Sequence, residues 1–381
     1  MENMWKKGRT FAFIDLAAIR KNGEICKKSF PEQMILSVLK ADAYGHGIEG
    51  VMPAFESFSD YYAVATVEEA LRVRRHTEKP ILLFGAAPMG QMVTAAENGI
   101  TFTVGSADYA KRLSETLASS GLRAKCHLKI ETGLNRSGIR WRDGASALRE
   151  IVSIHALKNL TFVGTYTHFA CGEGLLPWEA EFTRLQFSRF CEAVAAMERE
   201  GLAVGIRHCC STGGSLVNPD YRLDMVRLGM MPLGMSYSDE SVRELGLTPA
   251  MKWVSYVTQI ESLPAGDAVS YACIFKAEHE MRIAMVSCGY ADGYRRAYSN
   301  KTHLLINGKE ARVLGRIAMD CMMVDVTDIE CEIGDEAILL GSDGERSISA
   351  QELMVYGESV SGEVTAAISP RVERIYINGQ V

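Results

Sequence analysis

Eight short apolar runs recur between residues 34 and 228, and stretches with helical patterning separate most of them. The first is Met34–Leu39, read MILSVL. Tyr61–Ala65, Ile81–Phe84, Thr101–Val104, Cys126–Ile130, Phe162–Tyr166, Val204–His208 and Met225–Leu228 follow. Met34–Leu39 reads as a buried strand, and the β-rich runs after it repeat the theme. Val67–Arg75 has the pattern of an intervening helix, and Ser106 is placed to N-cap another that runs to about Ser119. Strands alternating with helices imply a parallel sheet with right-handed crossovers. Eight such units in roughly 200 residues suit a (β/α)8 barrel better than an open sheet.

The pattern changes near residue 236. Ser236–Pro249 is polar and turn-rich and reads as a linker. Short strand runs then follow at Val254–Ile260, Arg282–Val286, Leu304–Ile306, Met322–Val326 and Glu336–Leu340, with Asn307-Gly308 as a hairpin turn. Helical patterning returns at Ser349–Val355, with Ser349 as cap, and at Ser361–Ala367. The expected division is a barrel over residues 1–240 and a mainly β domain over residues 241–381.

A net charge of −6 provides no basic excess to neutralise phosphates, which argues against nucleic acid and anionic membrane as partners. No run of about 18 apolar residues is present to span a bilayer. The start, Met1-Glu2-Asn3-Met4-Trp5-Lys6-Lys7, leads into a strand-like Thr10–Leu16 without the apolar core of a signal peptide, so a cytoplasmic location is expected. The 10 cysteines show no Cys-x-x-Cys spacing and have no paired histidines beside them. Reduced thiols are expected rather than a metal site.

Barrel enzymes carry their reactive groups where strands end. Lys40 follows the first barrel run, in Val38-Leu39-Lys40-Ala41-Asp42-Ala43-Tyr44-Gly45-His46-Gly47. A lysine there is by itself a solvated charge, but a partly desolvated one becomes a nucleophilic amine. The run resembles the cofactor-lysine motif of the alanine racemase family, and further matches follow in the same order. They are His127–Gly138 (HLKIETGLNRSG), Thr165–Ala170 (TYTHFA), Met225–Gly229 (MVRLG), Ala268–Tyr271 (AVSY), Gly289–Tyr294 (GYADGY) and Gly315–Asp320 (GRIAMD).

This resemblance implies pyridoxal 5′-phosphate as cofactor, a small amino acid as substrate, and a homodimer with shared active sites. Lys40 would hold the cofactor and serve as one base. Tyr271 of the other subunit would be the second, with Arg136 and His168 drawing off its proton. Arg227 would face the pyridine nitrogen, where a donor-only guanidinium keeps that nitrogen unprotonated. Tyr44, Ser211 and the backbone of Gly229 and Met230 would hold the phosphate, with His168 also at the cofactor. Arg136 would stand at the substrate, Met319 and Asp320 would lie near its carboxylate with backbone amides as donors, Tyr290 would line the approach, and Lys129 stands where the family can carry a carbamylated lysine.

Three positions depart from the family pattern. Cys210 replaces an asparagine, Pro232-Leu233 replaces a pair ending in tyrosine, and Pro370 replaces an entrance tyrosine. These changes open the substrate question between alanine and serine or another small amino acid, with Cys210 or a bound water expected to face a serine hydroxyl. A decarboxylase of the same architecture is a further reading, opposed by Arg227 and Tyr271. A non-enzymatic cofactor carrier is opposed by the last 140 or so residues.

Overall fold

A computed structural model describes residues 4–379, so Met1-Glu2-Asn3 and the last two residues lie outside the described residues. The chain forms two compact units. The first holds residues 23–43 and 51–232; the second holds residues 4–22, 44–50 and 233–379 of those described.

In the first unit the eight apolar runs are eight parallel strands: β1 (Met34–Val38), β2 (Tyr61–Val64), β3 (Ile81–Leu83), β4 (Thr101–Val104), β5 (Ala124–Glu131), β6 (Leu160–Tyr166), β7 (Ile206–His208) and β8 (Met225–Leu228). Their order is β8-β1-β2-β3-β4-β5-β6-β7. The remaining gap is bridged when Asp224 N donates to Arg207 O at 3.1 Å and Arg227 N to Cys210 O at 3.2 Å. This is a nearly closed (β/α)8 barrel. Its side chains explain the apolar runs: every residue of β2, β3, β4 and β8 is buried. The helices start where capping chemistry permits. Thr66 and Glu69 form a reciprocal capping box before Val67–Arg74, and the Ser106 hydroxyl accepts from Tyr109 N before Ala107–Ser119.

The second unit is mainly β. Met251–Leu263, Met281–Val286, Met322–Asp325, Lys309–Leu314, His303–Ile306 and Glu336–Asp343 pair in that order, and the last returns to the first through Trp253↔Leu340 and Val254↔Ile338. The ring therefore closes on itself, which removes two exposed edges. Asn307 and Gly308 take φ of 49° and 75° and join the Ile306↔Lys309 pair, as a two-residue hairpin requires.

Three features differ from the sequence expectation. Thr10–Asp15 belongs to the second unit, antiparallel to Met251–Leu263 and parallel to Glu373–Ile377, so the amino-terminal segment is not part of the barrel. Lys309–Leu314 is a strand although charged residues fill its exposed positions. Ser236–Pro249 contains a helix, Asp239–Glu244, whose Ser238 cap accepts from Ser241 N. Among the described residues no helix is long and apolar enough to cross a membrane.

Candidate active site

Five barrel strands deliver expected site residues at their carboxyl ends. Lys40 lies just past β1, Arg136 past β5, His168 past β6 and Ser211 past β7. Arg227 lies within β8, and Gly229 and Met230 follow it. Parallel strands in a barrel place these ends on one face. Arg227 donates to His168 Nδ1 at 2.9 Å, and Lys129 and Arg136 line one cavity. Burial first, then the charges of Arg227, Arg136, Lys129 and Lys40, hold the His168 imidazole far below its ordinary pKa. Four cations thus bear on one side chain. Glu131 stands among them, accepting from Gly133 N at 2.6 Å and Arg136 N at 3.2 Å. Two of the four cations, Arg227 and Lys129, are buried, while Lys40 and Arg136 are exposed, and this excess of positive charge favours an anion.

Arg227 is 4% exposed, and its partners are two imidazoles and two carbonyls. It donates to His208 Nδ1 at 3.0 Å, His168 Nδ1 at 2.9 Å, Thr167 O at 3.0 Å and Cys209 O at 2.8 Å. Because arginine only donates, both Nδ1 atoms accept, which places the histidine protons on Nε2. His208 Nε2 then donates to His127 Nδ1 at 2.9 Å, and His127 Nε2 faces the Tyr61 hydroxyl at 3.5 Å. Tyr166 stacks on His208 at 4.7 Å and lies beneath the guanidinium at 5.5 Å.

The backbone after Lys40 makes one left-handed turn. Ala41, Asp42, Ala43 and Tyr44 have φ between 52° and 55°, and Gly45 follows at 81°. L-residues lose about 1–2 kcal/mol each in this conformation. Gly45 is required twice over, since a Cβ there would meet Thr365 O at 2.1 Å. Desolvation, then Arg136, lower the pKa of the Lys40 amine; Arg227 adds to this and Glu69 opposes it. Burial pushes the Tyr44 hydroxyl up to about 12.

Lys129 donates to Ser137 Oγ at 2.7 Å. Desolvation, then the neighbouring Arg136 and Arg227, bring its amine down to about 8. Lys129, Glu131, Arg136 and Tyr109 line a cavity of about 370 Å³. Ser211 precedes the helix Thr212–Val217 without capping it through its side chain. Cys210 does not serve as the expected partner for a substrate hydroxyl: its thiol is buried and donates to Tyr221 O at 2.9 Å, beside Cys209. The small thiols fill the space beneath Phe169 and Tyr221.

In the second unit Tyr271 is 66% exposed. Ser270, Ala272 and Cys273 flank it at φ of 62°, 62° and 47°, and Ser270 Oγ donates to Arg316 O at 2.6 Å. Tyr290 N donates to Ala318 O and Ala291 N to Met319 O, both at 3.0 Å, which brings Tyr290 and Met319 together. Arg371 takes up the Asp320 carboxylate at 2.6 Å. It also reaches the fully buried Asp292, which pairs with Arg9. Pro370 is the exposed neighbour of that arginine.

Sequence reasoning passed over Glu69, Thr167, His127 and His208. The Thr66-x-x-Glu69 spacing signalled a capping box, and His208 stood at a strand end. The chain of hydrogen bonds from His127 through His208 to Arg227 depends on side chains from three different strands.

Burial and Arg227 hold His127 at about 3 and His208 well below its ordinary value. Above about pH 6.5 both are neutral whether the chain is folded or not, and the stability of the fold is fully present. As pH falls below that value the unfolded chain binds protons that the barrel refuses. Each histidine then removes about 1.4 kcal/mol of stability per pH unit until its native pKa is reached. The urea midpoint should therefore drop steeply from pH 6.5 to 5, and His127→Gln should flatten the slope. Equal slopes in parent and variant would refute this account.

Residues 14–237 match the profile of the alanine racemase N-terminal domain, and residues 250–376 that of the C-terminal domain. An alanine racemase of Desulforamulus reducens is 37% identical over 372 residues, covering 96% of this chain and 98% of that one. Alanine racemase 2 of Caldanaerobacter subterraneus subsp. tengcongensis is 36% identical over 369 residues, covering 96% and 94%. The crystal structure of alanine racemase from the D-cycloserine-producing Streptomyces lavendulae superposes with a TM-score of 0.91 at 32% identity, over 98% of both chains. That of Bacillus anthracis alanine racemase, with L-Ala-P bound, gives 0.90 at 30% identity, over 98% of this chain and 96% of that one. With its fold, both its domains and nearly its full length matched, the chain belongs to the alanine racemase family and is an isomerase.

Proposed function

We propose that this protein interconverts L- and D-alanine with pyridoxal 5′-phosphate held at the carboxyl face of the barrel. The observation that carries the reading is the cluster of cations at the strand ends, in which Arg227 donates to His168 Nδ1 at 2.9 Å and Lys129 and Arg136 line one cavity. The donor set fits the cofactor. Lys40 provides an amine with a lowered pKa for its aldehyde carbon. Ser211, Tyr44 and the amides of Gly229 and Met230 provide hydroxyl and N–H donors for its phosphate. Bound there, the cofactor supplies an electron sink that makes an amino acid's α-hydrogen removable.

The protein supplies the rest. Arg227 presents a permanent cation with no proton to give, and its two histidine acceptors keep it oriented. It thereby limits electron withdrawal to what reversible proton exchange needs. Lys40 takes or returns the proton on the D face and Tyr271 on the L face. A phenol is a poor base at neutral pH unless cations favour its charged form, and Arg136 is the cation assigned to that task. Lys129, brought down to about 8, keeps a neutral fraction able to add carbon dioxide and release a proton to solvent, and the carbamate so formed would accept from Arg136. The backbone amides of Met319 and Asp320 meet the substrate carboxylate, and Tyr290 lines the approach. Tyr271, Tyr290, Met319 and Asp320 come from the second copy in a homodimer.

The test is chiral analysis of the products after a panel of L-amino acids is incubated with cofactor-loaded protein. D-alanine should form from L-alanine. Protein that retains the cofactor yet racemises no amino acid would overturn the proposal, and release of carbon dioxide would point to decarboxylation.

One observation favours serine as an additional substrate. The exposed Pro370 has less bulk than a tyrosine and no donor, and it adjoins the Asp320–Arg371 pair. One added heavy atom in a pocket is typically worth about 1–3 kcal/mol, so serine should turn over within about two orders of magnitude of alanine. Pro370→Tyr should lower the serine-to-alanine ratio of kcat/KM by about tenfold. An unchanged ratio would show that Pro370 does not shape the pocket.

A further inference from the structure

We propose that Glu69 is a positioning residue for Lys40: with Arg72 it clamps the left-handed turn that follows the lysine and so fixes where the amine stands. Two residues of one helix, three apart and on one face, hold two consecutive residues of that turn. Glu69 Oε1 accepts from Ala41 N at 2.7 Å, and Arg72 pairs with Asp42 Oδ1 at 2.6 Å. Within the turn Ala43 N donates to Leu39 O at 2.8 Å.

A capping box needs only one oxygen of its carboxylate. Here Glu69 Oε2 serves it alone, accepting from Ala65 N at 2.9 Å and Thr66 N at 3.3 Å. The other oxygen is thereby left to a segment 28 residues away in sequence. Ala41, Asp42 and Ala43 are not glycines, so their conformation is maintained from outside rather than by intrinsic preference. The clamp also acts through charge. The charged groups facing Lys40 are Arg136 and Arg227, which disfavour its cationic form, and Glu69, which favours it. Glu69 thus holds the backbone and offsets part of the arginine field.

The clamp is relevant to function only if Lys40 is the cofactor lysine, so its test uses cofactor-free protein and reads the amine directly. The extent of Lys40 reductive methylation by formaldehyde and cyanoborohydride is followed by peptide mass spectrometry across pH. Glu69→Gln should move the midpoint of Lys40 reactivity down by about half a pH unit or more. Glu69→Asp, which keeps the charge, should move it less. Thr66→Ala removes the hydroxyl that accepts from Glu69 N at 3.2 Å and serves as the control. It should lower the melting temperature while leaving the Lys40 midpoint in place.

Asp42→Asn spares the helix cap and should speed hydrogen exchange of residues 41–44 about tenfold or more. That measurement decides the matter should Glu69→Gln not fold. Identical Lys40 profiles in parent, Glu69→Gln and Thr66→Ala would reduce Glu69 to a helix cap, and unchanged exchange in Asp42→Asn would remove the clamp. Borohydride fixation of the cofactor on another lysine would instead refute the role of Lys40 in the proposed function, and the methylation profiles would still report the clamp.

Discussion

Lys40→Ala and Tyr271→Phe homodimers are each expected to lose racemase activity by about 10²–10⁴-fold, the range for loss of one acid–base group, while a mixture of the two recovers part of it. Lys40→Ala should also lose the visible absorbance of bound cofactor that borohydride bleaches in the parent, because alanine has no amine to hold the aldehyde carbon. Tyr271→Phe should keep that absorbance, since it changes a side chain of the second unit. If each site draws Lys40 from one copy and Tyr271 from the other, a mixed dimer contains one doubly damaged site and one intact site. Equal mixing and refolding should then restore about a quarter of parental activity, because half the dimers are mixed and each has one working site of two. Mixed dimers shown to form yet remaining as inactive as either homodimer would refute sharing. A visible absorbance that survives in Lys40→Ala would refute the assignment of the lysine.

The second large effect is expected at Arg227. Replacing it with glutamate puts an acceptor where His168, His208, Thr167 and Cys209 all present acceptors. Two of those are carbonyl oxygens that cannot reverse their role. Breaking a buried charged network in this way costs about 3–5 kcal/mol, so the melting temperature of the cofactor-free protein should fall by many degrees. Arg227→Gln is milder, since its amide can still donate to one carbonyl. In both variants the control of electron withdrawal at the cofactor changes. Racemisation should fall by about two orders of magnitude or more, and a 2-oxo acid should appear beside D-alanine as transamination competes. The ratio of 2-oxo acid to D-alanine, measured in the same reaction, is the diagnostic. Variants that racemise at the parental rate without forming 2-oxo acid would show that Arg227 has no such role.

Much of this arrangement is legible in the sequence because it is local. Thr101–Val104 and Met225–Leu228 are strands at the bounds read from the sequence, because each is a short β-favouring run buried along its whole length. Ser106 and Ser349 cap the helices expected of them, because capping needs only a side-chain oxygen and an amide two or three residues on. Asn307-Gly308 turns a hairpin because both residues tolerate positive φ. Lys40, His168 and Arg227 could be placed at or near strand ends for the same reason, each lying close to an identifiable run.

What escaped the sequence depends on partners distant along the chain. Thr10–Asp15 reads as a strand, but nothing within its six residues says that it pairs with Met251–Leu263 and Glu373–Ile377 rather than entering the barrel. Backbone hydrogen bonding is the same for every partner, and only the surface each strand must bury selects among them. Cys210 gave the same difficulty in miniature. Its position beside Ser211 suggested the substrate, whereas packing turned its thiol to Tyr221.

The amino-acid order by itself determined the strand and helix units, their caps and turns, and which residues stand near the barrel strand ends. These follow from propensity and periodicity within a few neighbours. Tertiary structure alone decided the protonation pattern of the site: which imidazole nitrogen accepts from Arg227, that burial and then four cations depress His168, and how Glu69 reaches Ala41. Those properties arise from charges and donors brought within a few ångströms out of water, where their interaction is strongest and where sequence separation counts for nothing.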